Sequence, residues 1–263
     1  MNNNPIGIFD AGIGGLSIYQ EVVSMLPDES IVYFGDNAYV PYSKLSADII
    51  YDRSQRIIKF LLEKKAKAIV VACNTITVSC IDQLREHFPN VPIVGTVPVI
   101  KTAAAITHKK RFGILSTTRT ANSAYQQSLI KQYADGHIVI NRGTDEVAPR
   151  IDKGEVGSEE LQQILEKVLV PFQEAEIDTL VLGCTHYPFV KKQIQAVMGE
   201  GVRILDSGPA IARQLQRVLT NNNALAKEGT PSHEFYTTAK AGEINSIVKK
   251  LLGITITSSS VSL

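Results

Sequence analysis

The sequence predicts an α/β protein built on parallel sheets, and two observations support this fold class. Short runs rich in β-branched residues alternate with longer amphipathic stretches, which is the pattern of parallel strands joined by packed helices. The chain also repeats itself: AIVVACNTIT at residues 68–77 resembles TLVLGCTHYP at 179–188, and PIGIFDAG near the start resembles RFGILSTT at 111–118. The repeated stretches indicate two related α/β units.

The individual elements follow from this alternation in chain order. The apolar runs predict strands at residues 6–9, 31–34, 68–72, 93–94, 111–115, 137–140, 179–182 and 203–205. The amphipathic stretches between them predict helices at residues 16–25, 46–64, 77–87, 121–131, 158–176 and 209–219. Near the end, HEFYTTA and ITITSSS predict two further strands around a helix at 241–252.

Two segments punctuated by proline and glycine indicate where the chain passes between the units. VPIVGTVPVI (91–100) and RILDSGPAIA (203–212) have the composition of such crossings. We therefore expect residues 1–96 and 207–263 to form a first, discontinuous domain and residues 97–206 to form a second. The two strands of the tail support this division, because they need a sheet with which to pair.

Composition argues against several classes of function. The 27 Lys and Arg residues balance 26 Asp and Glu residues without forming a basic stripe, so we expect no nucleic-acid partner. No apolar run approaches the roughly 18 residues of a membrane span. The first residues lack the features of a signal peptide, so we expect a cytoplasmic protein without a membrane partner. Three cysteines, Cys73, Cys80 and Cys184, are too few for a disulfide framework and fit a reducing compartment.

Polar side chains follow the first two predicted strands, where open parallel sheets bind ligands. In IFDAGIGGLS (8–17), Asp10 ends the strand and three glycines let the backbone approach a ligand with free amides. The glycine spacing is not the dinucleotide fingerprint, and a plain turn capped by Asp10 is the alternative. In GDNAYVPY (35–42), Asp36 and Tyr42 offer hydrogen-bonding groups, although an ordinary turn is as good an interpretation.

The first of two similar thiols lies in ACNTIT. Cys73 ends a predicted strand and precedes a helix, and the helix amides should bias this thiol toward thiolate. Asn74 and Thr75 can cap that helix or bind a carboxylate. The alternative is an inert, buried cysteine. For Cys80, two helical turns further on, packing in the core is the best interpretation.

The second thiol, Cys184 in GCTHYP, has the same placement and adds a histidine. His186 could act as a general base, as a proton donor to a substrate, or as a zinc ligand. Cys-x-x-Cys, His-x-x-x-His and His-Glu-x-x-His patterns are absent from the sequence, so we expect no metal.

Two equivalent thiols favour a reaction that is itself nearly symmetric. A cysteine hydrolase needs one nucleophile and one base, and redox cysteines are usually close in sequence. Removal of a proton from one face of a carbon and its return to the other face, in contrast, uses two acid/base groups. Cys73 and Cys184 therefore predict racemisation by a two-base mechanism, in which one sulfur is thiolate and the other is thiol.

Six stretches resemble one known family in order and spacing. GIFDAGIGGLSI, DNAYVPY, ACNT, PIVGTVPVIK, GCTHYP and FYTTA are similar to the motifs of the cofactor-independent glutamate racemases, and together they span nearly the whole chain. The paired ACNT and GCTHYP motifs are the specific part. Aspartate and hydantoin racemases share the two-cysteine plan but differ around the second thiol.

The resemblance implies a fold, a substrate and roles for individual residues. It implies two pseudosymmetric α/β domains with the active site in the cleft between them. It implies L- and D-glutamate as substrates, no pyridoxal phosphate or other cofactor, no metal, and a product used in peptidoglycan synthesis. Cys73 would take the α-proton from D-glutamate and Cys184 from L-glutamate, each assisted by a neighbour. The assisting residues would be Asp10 and His186, and those that bind the amino acid would be Tyr42, Asn74, Thr75 and Thr185.

Three positions depart from the family pattern. Ala11 replaces a serine, Ser43 replaces a glycine, and Asp152 replaces a glutamate. We count Ala11 and Ser43 with Asp10 and His186 among the positions that contact substrate, and Asp152 and Asp36 as supporting acids. The departures leave three alternatives open: a racemase of aspartate or another acidic amino acid, a binding paralogue without turnover, and a cysteine hydrolase. A homodimer is the expected assembly.

Overall fold

The computed structural model describes residues 2–227 and 229–263. Its strands are β1 (Ile6–Asp10), β2 (Ile31–Gly35), β3 (Ala68–Val71), β4 (Ile93–Gly95), β5 (Arg111–Ser116), β6 (Ile138–Gly143), β7 (Thr179–Gly183), β8 (Arg203–Leu205), β9 (His233–Thr237) and β10 (Ser258–Ser260). Its α-helices are α1 (Leu16–Met25), α2 (Ala47–Glu63), α3 (Asn74–His87), α4 (Ile100–Ile106), α5 (Thr118–Asn122), α6 (Ala124–Tyr133), α7 (Val147–Asp152), α8 (Glu159–Glu174), α9 (Lys191–Met198), α10 (Gly208–Asn221) and α11 (Ala241–Leu252).

The strands form two parallel sheets with a shared topology. The first sheet has the order β10-β9-β2-β1-β3-β4 and the second has the order β6-β5-β7-β8. In the first sheet, β2-β1-β3-β4 are neighbouring parallel strands, and β6-β5-β7-β8 are their counterparts in the second sheet. If the four strands of each set are numbered along the chain, both sets have the order 2-1-3-4. The register agrees as well, because Gly7 of β1 lies opposite Ile69 of β3 while Gly113 of β5 lies opposite Leu180 of β7. The predicted α/β class and the duplication are therefore confirmed.

The shared register pairs functional positions of the two halves. Counting along β3 and β7 from the matched residues places Cys73 and Cys184 at equivalent positions. Counting along β1 and β5 matches Asp10 with Ser116 and the following Ala11 with Thr117. The two thiols thus occupy the same place in each half, whereas the residues beside them differ.

The tail extends the first sheet, as the need for a pairing partner suggested. β9 runs parallel to β2, and β10 runs parallel to β9. Strands of the first sheet therefore lie within residues 6–95 and 233–260, and those of the second sheet within 111–205. We call each sheet with its helices the first unit and the second unit. The domain limits at residues 96 and 207 remain a prediction.

The helices differ from the sequence-based expectation in several places. α3 begins at Asn74, three residues earlier than predicted, so that Cys73 is its N-cap. The helix predicted at 121–131 is two helices, because Ser123 caps a new one by accepting a hydrogen bond from the Gln126 amide at 3.1 Å. α4, α7 and α9 were not predicted. They are only six to eight residues long, which is too short for a clear periodic pattern.

One apolar core joins the two units. The largest cluster of buried side chains includes Ile8 of β1 and Leu182 of β7, both fully or almost fully buried. Helix α1 of the first unit packs against α10, which leads from the second sheet back to the first. Within the described residues, every helix falls short of the length and apolarity needed to cross a membrane.

Asp178 fixes the connection between α4 and β5. Its carboxylate accepts hydrogen bonds from the Thr107 hydroxyl (2.6 Å), the amides of His108 (2.7 Å) and Lys109 (2.8 Å), and the Thr179 hydroxyl (3.0 Å). Partial burial raises the pKa of Asp178, but these hydrogen bonds outweigh it and lower the pKa to about 2. The ionised carboxylate therefore ties the start of β7 to the segment that leads into β5.

Replacement of Asp178 by Ala should destabilise the fold. The change removes four hydrogen bonds to a charged group, and we expect the free energy of unfolding to fall by about 2 kcal/mol in urea titrations. Asp82→Ala is the matched control, because that side chain is 71% exposed and pairs only with Arg85 on the same helix. Its effect should stay below about 0.5 kcal/mol. Equal effects of the two changes would contradict the role of Asp178.

Candidate active site

The two thiols lie at the carboxyl ends of central strands in both sheets. The chain leaves β1 toward β2 on one side, and β3 lies on the other side of β1, so the β1/β3 junction is a topological switch point. The β5/β7 junction is the equivalent point of the second sheet. Cys73 follows β3 and Cys184 follows β7, and both line the same cavity between the units. The architecture therefore brings the two sequence-predicted thiols together.

Asp10 is the last residue of β1 and is completely buried. Its Oδ2 accepts hydrogen bonds from the amides of Gly12 (3.2 Å) and Gly15 (2.9 Å). Its Oδ1 has no hydrogen-bond partner among the described residues. A side chain at position 15 would place its Cβ 2.7 Å from the Asp10 Cβ, so only glycine allows the helix α1 to begin so close to this carboxyl.

Cys73 contradicts the expectation of a thiolate at a helix N-terminus. The residue is only 6% exposed. Burial raises the pKa of Cys73 well above its ordinary value, and the neighbouring Asp10 raises it further, while the hydrogen bond from the Ile76 amide lowers it by less. The helix amide acts in the predicted direction, but desolvation and the adjacent acid outweigh it. Burial and Asp10 therefore favour the thiol form of Cys73 over the thiolate.

Cys184 begins a chain of polar groups that crosses between the units. Its Sγ lies 3.7 Å from Nδ1 of His186, and Nε2 of the same ring lies 2.9 Å from Oδ1 of Asp152. Oδ1 of Asp152 also accepts a hydrogen bond from the Ile13 amide of the first unit at 3.3 Å. Asp152 therefore orients the imidazole toward the sulfur and contacts the glycine-rich loop opposite.

The surroundings of His186 favour its charged form. Burial lowers the pKa of His186, but the Asp152 carboxylate and the contacts with Asp152 and Cys184 outweigh burial and raise the pKa well above its ordinary value. The resulting imidazolium carries a proton on both ring nitrogens, so Nδ1 can donate toward Cys184. A Cβ on Gly14 would lie 2.3 Å from Nδ1, and the ring fits only because residue 14 is glycine.

Apolar and polar side chains line the cavity together, and the polar groups include little positive charge. Ala11, Val40, Pro41, Tyr42, Ser43, Cys73, Asn74, Thr75, Thr117, Asp145, Ala148, Pro149, Asp152, Cys184, Thr185 and His186 form its walls. His186 is the only cationic side chain among these described lining residues. Anionic groups of a ligand would therefore be bound by hydroxyls, side-chain amides and the free N–H groups at the start of α3.

The structure separates some predicted residues from the cavity. Asp10, which was expected to contact substrate, is fully buried and does not line the cavity. Asp36 is also fully buried and does not line it. Instead it accepts hydrogen bonds from Arg53, with Nη2 to Oδ1 at 2.9 Å, from the Tyr42 hydroxyl, and from the Thr238 hydroxyl at 2.8 Å. Tyr42 lines the cavity, yet its hydroxyl is already used by Asp36. These two residues therefore support the wall formed by the 40–45 segment.

Sequence reasoning overlooked two polar lining residues, Thr117 and Asp145. Thr117 follows β5, and its hydroxyl lies 3.0 Å from that of Thr75 across the cleft. The repeat PIGIFDAG/RFGILSTT already aligned Thr117 with Ala11, so extending the comparison by one residue past each strand would have identified it. Asp145, whose carboxylate accepts a hydrogen bond from the Thr118 amide at 3.3 Å, carried no comparable signal.

The described residues do not offer a set of side chains suited to coordinate a metal ion. In the segments 2–227 and 229–263, no cluster of three or more His, Cys, Asp or Glu side chains has an arrangement suited to a metal ion. The three cysteines are unpaired thiols. Cys80 packs in the core as predicted, with its sulfur 3.5 Å from the Ile76 carbonyl oxygen.

A model of the Asp/Glu/Hydantoin racemase family matches residues 6–215. The chain belongs to this family. A glutamate racemase of Pseudomonas paraeruginosa (strain DSM 24068 / PA7) is 42% identical over 249 residues, which cover 95% of this chain and 94% of that protein. The family resemblance predicted from the motifs is thus confirmed, and the chain is an isomerase of the racemase class.

Solved structures of this racemase family share the fold. Glutamate racemase isoform RacE1 from Bacillus anthracis has a TM-score of 0.93 and 30% identity, with coverage of 100% of this chain and 99% of that one. Glutamate racemase from Francisella tularensis, solved in complex with D-glutamate, has a TM-score of 0.87 and 30% identity, with coverage of 100% and 98%. The predicted two-unit architecture is therefore that of the racemases.

Replacement of Asp152 by Asn should shift the titration of His186 to lower pH. The change removes the carboxylate that raises the pKa, while burial, which lowers it, remains. NMR of ¹³C/¹⁵N-histidine-labelled protein follows each ring across the pH range. His233, whose pKa is lowered by burial and whose Nδ1 lies 2.6 Å from the Tyr19 hydroxyl, is an internal control that should not move. An unchanged His186 curve would show that Asp152 is not the cause.

Proposed function

We propose that this chain interconverts L- and D-glutamate without a cofactor, by transfer of the α-proton between two thiols. The observation that carries the proposal is the placement of Cys73 and Cys184 at equivalent strand ends, with both side chains lining one cavity. The Pseudomonas relative is a glutamate racemase, and the Francisella neighbour has D-glutamate bound. Both support glutamate as the substrate.

The reaction begins when one sulfur is a thiolate and the other is a thiol. With D-glutamate, the Cys73 thiolate removes the α-proton, the Cα–H bond breaks, and its electron pair remains on Cα and spreads into the α-carboxylate. The Cys184 thiol then gives its proton to the opposite face of Cα. L-glutamate reacts in the reverse direction, with Cys184 as the base and Cys73 as the acid. After each turnover, proton exchange with solvent restores the starting state.

Asp10 provides a proton acceptor for Cys73. Because the free state favours the thiol, a nearby base has to take its proton before Cys73 can act on D-glutamate. Asp10 is the acid beside this sulfur, and its Oδ1 lacks a hydrogen-bond partner among the described residues. Burial raises the pKa of Asp10 above its ordinary value, although His186 opposes the shift, so the carboxylate is a better base than an exposed one.

His186 performs the corresponding task for Cys184. A protonated ring donates from Nδ1 toward the sulfur 3.7 Å away, while Asp152 keeps Nε2 hydrogen-bonded at 2.9 Å. An N–H directed at a sulfur stabilises negative charge on it and can return a proton to it. Asp152 is one methylene shorter than the glutamate expected at this position, but it still reaches the ring.

The amino acid is bound mainly by neutral hydrogen-bonding groups. We assign its carboxylates to the hydroxyls of Thr75, Thr117 and Thr185 and to the free amides at the start of α3, all at the cavity. The ammonium group would face the acidic side chains of Asp145 or Asp152 in the same wall. Ala11 contributes a methyl group where a serine was expected. Thr117 is its counterpart in the second unit, and we propose that its hydroxyl takes the place of the missing serine hydroxyl from the opposite side.

We further propose that the D-glutamate formed here supplies peptidoglycan synthesis in the cytoplasm. The three unpaired thiols support a reducing compartment. The metabolic role rests on the resemblance to glutamate racemases.

Turnover in deuterated water should label the product. L-glutamate converted in D₂O should give D-glutamate with deuterium at Cα, because the thiol that donates the proton has exchanged with solvent. Loss of the α-proton signal in NMR, combined with chiral chromatography, measures both events. Product without label would contradict a two-base transfer.

L-aspartate is assayed in parallel, and faster exchange with it would assign the enzyme to aspartate. Binding of glutamate in calorimetry without exchange would instead indicate a binding paralogue.

Removal of either thiol should nearly abolish racemisation. Cys73→Ser and Cys184→Ser replace a thiol by a hydroxyl that is a far weaker acid, so we expect kcat to fall by roughly 10²–10⁴-fold or more. Cys80→Ser is the matched control. Its sulfur faces the Ile76 carbonyl in the core, and a hydroxyl can make the same bond, so activity should remain close to that of the unchanged protein. Full activity of either site variant would contradict the two-thiol mechanism.

A further inference from the structure

Arg119 connects the two units at the edge of the cavity. It belongs to α5 of the second unit, two residues after the lining residue Thr117. Its guanidinium donates from Nε to the Ser43 carbonyl at 3.4 Å and from Nη2 to the Leu45 carbonyl. Both acceptors belong to residues 40–45 of the first unit, which we call the lip. A side chain of the second unit is thus hydrogen-bonded to the backbone of the first.

The charge of Arg119 is directed at these carbonyls. Among the described residues, no carboxylate lies within 4.0 Å of its guanidinium. The acceptors lie at the end of the short helical turn Tyr42–Lys44, where carbonyl groups lack partners within the helix and favour a cation. The contact therefore serves to join the units.

The lip is also held by side-chain bonds within its own unit. A displacement of the lip would therefore displace the cavity wall that it forms. Asp36 accepts a hydrogen bond from the Tyr42 hydroxyl and is itself paired with Arg53 of α2. Arg53 in turn lies 3.4 Å from the centre of the Tyr39 ring. Because Tyr42 and Ser43 line the cavity, a bond from Arg119 to this segment positions that wall relative to Thr117 in the second unit.

Substrate cannot reach the thiols while these contacts persist. Cys73 and Cys184 are 6% and 7% exposed, and Thr75 and Thr117 meet across the cleft at 3.0 Å. The units have to separate for an amino acid to enter and leave, and they have to close again to keep water from the carbanion. Breaking the bonds of Arg119 to the lip is a necessary part of that separation.

We propose that Arg119 is a positioning residue that fastens the lip to the second unit and thereby sets the equilibrium between open and closed cleft. It touches neither the thiols nor the cavity and acts through the wall it positions. Its part in turnover rests on the two-thiol racemisation proposed above, whereas its part in closure rests on geometry alone.

Thiol alkylation tests closure without any turnover. Iodoacetamide labelling followed by peptide mass spectrometry gives a separate rate for each cysteine. In Arg119→Ala we expect Cys73 and Cys184 to react about tenfold faster, as expected for loss of hydrogen bonds to a charged group, while Cys80 in the core reacts at its original rate. Arg119→Lys can still donate to one carbonyl, so its alkylation rates at Cys73 and Cys184 should lie between those of the unchanged protein and those of Arg119→Ala. Arg56→Ala, which removes an exposed pair on α2, should leave all three rates unchanged.

Two results would overturn the proposal. Unchanged rates at Cys73 and Cys184 in Arg119→Ala would show that the contact does not control closure. Equal acceleration at all three cysteines would show general destabilisation instead.

In the active enzyme, Arg119→Ala should raise KM roughly tenfold with a smaller change in kcat. It should also increase the deuterium in recovered substrate at low conversion in D₂O, because an open cleft lets the base exchange before it returns the proton. Absence of racemisation in the unchanged protein would refute the proposed function and leave the alkylation result intact.

Discussion

Burial of the Cys73 thiol beside the Asp10 carboxyl disfavours negative charge on both groups, because burial removes them from bulk solvent. The pKa values of Cys73 and Asp10 are both raised for this reason. On the other side of the cavity, the Asp152 carboxylate keeps a positive charge on His186 next to Cys184. Two sulfurs at equivalent positions of a duplicated fold therefore meet different electrostatic surroundings. The proposed two-thiol reaction starts with one thiol and one thiolate, and this difference influences which sulfur carries the charge.

The asymmetry arises from the residues that the duplication did not preserve. Asp10 corresponds to Ser116 in the second unit, and His186 corresponds to Thr75 in the first, although the backbone register of both pairs is the same. Each unit thus carries its proposed acid/base partner at a different place: Asp10 lies before the glycine-rich turn, and His186 lies after the thiol. Glycines 14 and 15 make both placements possible, because a Cβ at either would lie within 2.7 Å of His186 or Asp10.

The sequence predicted the α/β class, the duplication and both thiols, because each depends on short local patterns that repeat. The helix α11 and the start and end of α1 also agree with their amphipathic patterns. Three features could not be predicted in this way. The state of Cys73 depends on its burial beside Asp10. The role of Asp36 depends on Arg53, seventeen residues away, and α7 is a six-residue helix with Pro149 in its first turn. All three depend on tertiary contacts rather than on periodicity.

The bonds that cross the cleft are few and individually modest. Besides Arg119, they include the Thr75–Thr117 contact at 3.0 Å, the Ile13 amide to Asp152 at 3.3 Å, and the Ser17 hydroxyl to the Thr185 carbonyl at 2.8 Å. The neutral bonds contribute about 1 kcal/mol net each, and the bond to the Asp152 carboxylate about 1.5–3 kcal/mol, since water replaces them when the units part. A closed cleft needs enough of them to exclude water from a carbanion, yet too many would slow the release of product. Because Asp152 both orients His186 and accepts a bond from the opposite unit, separation of the units would break a bond at the residue that orients the ring.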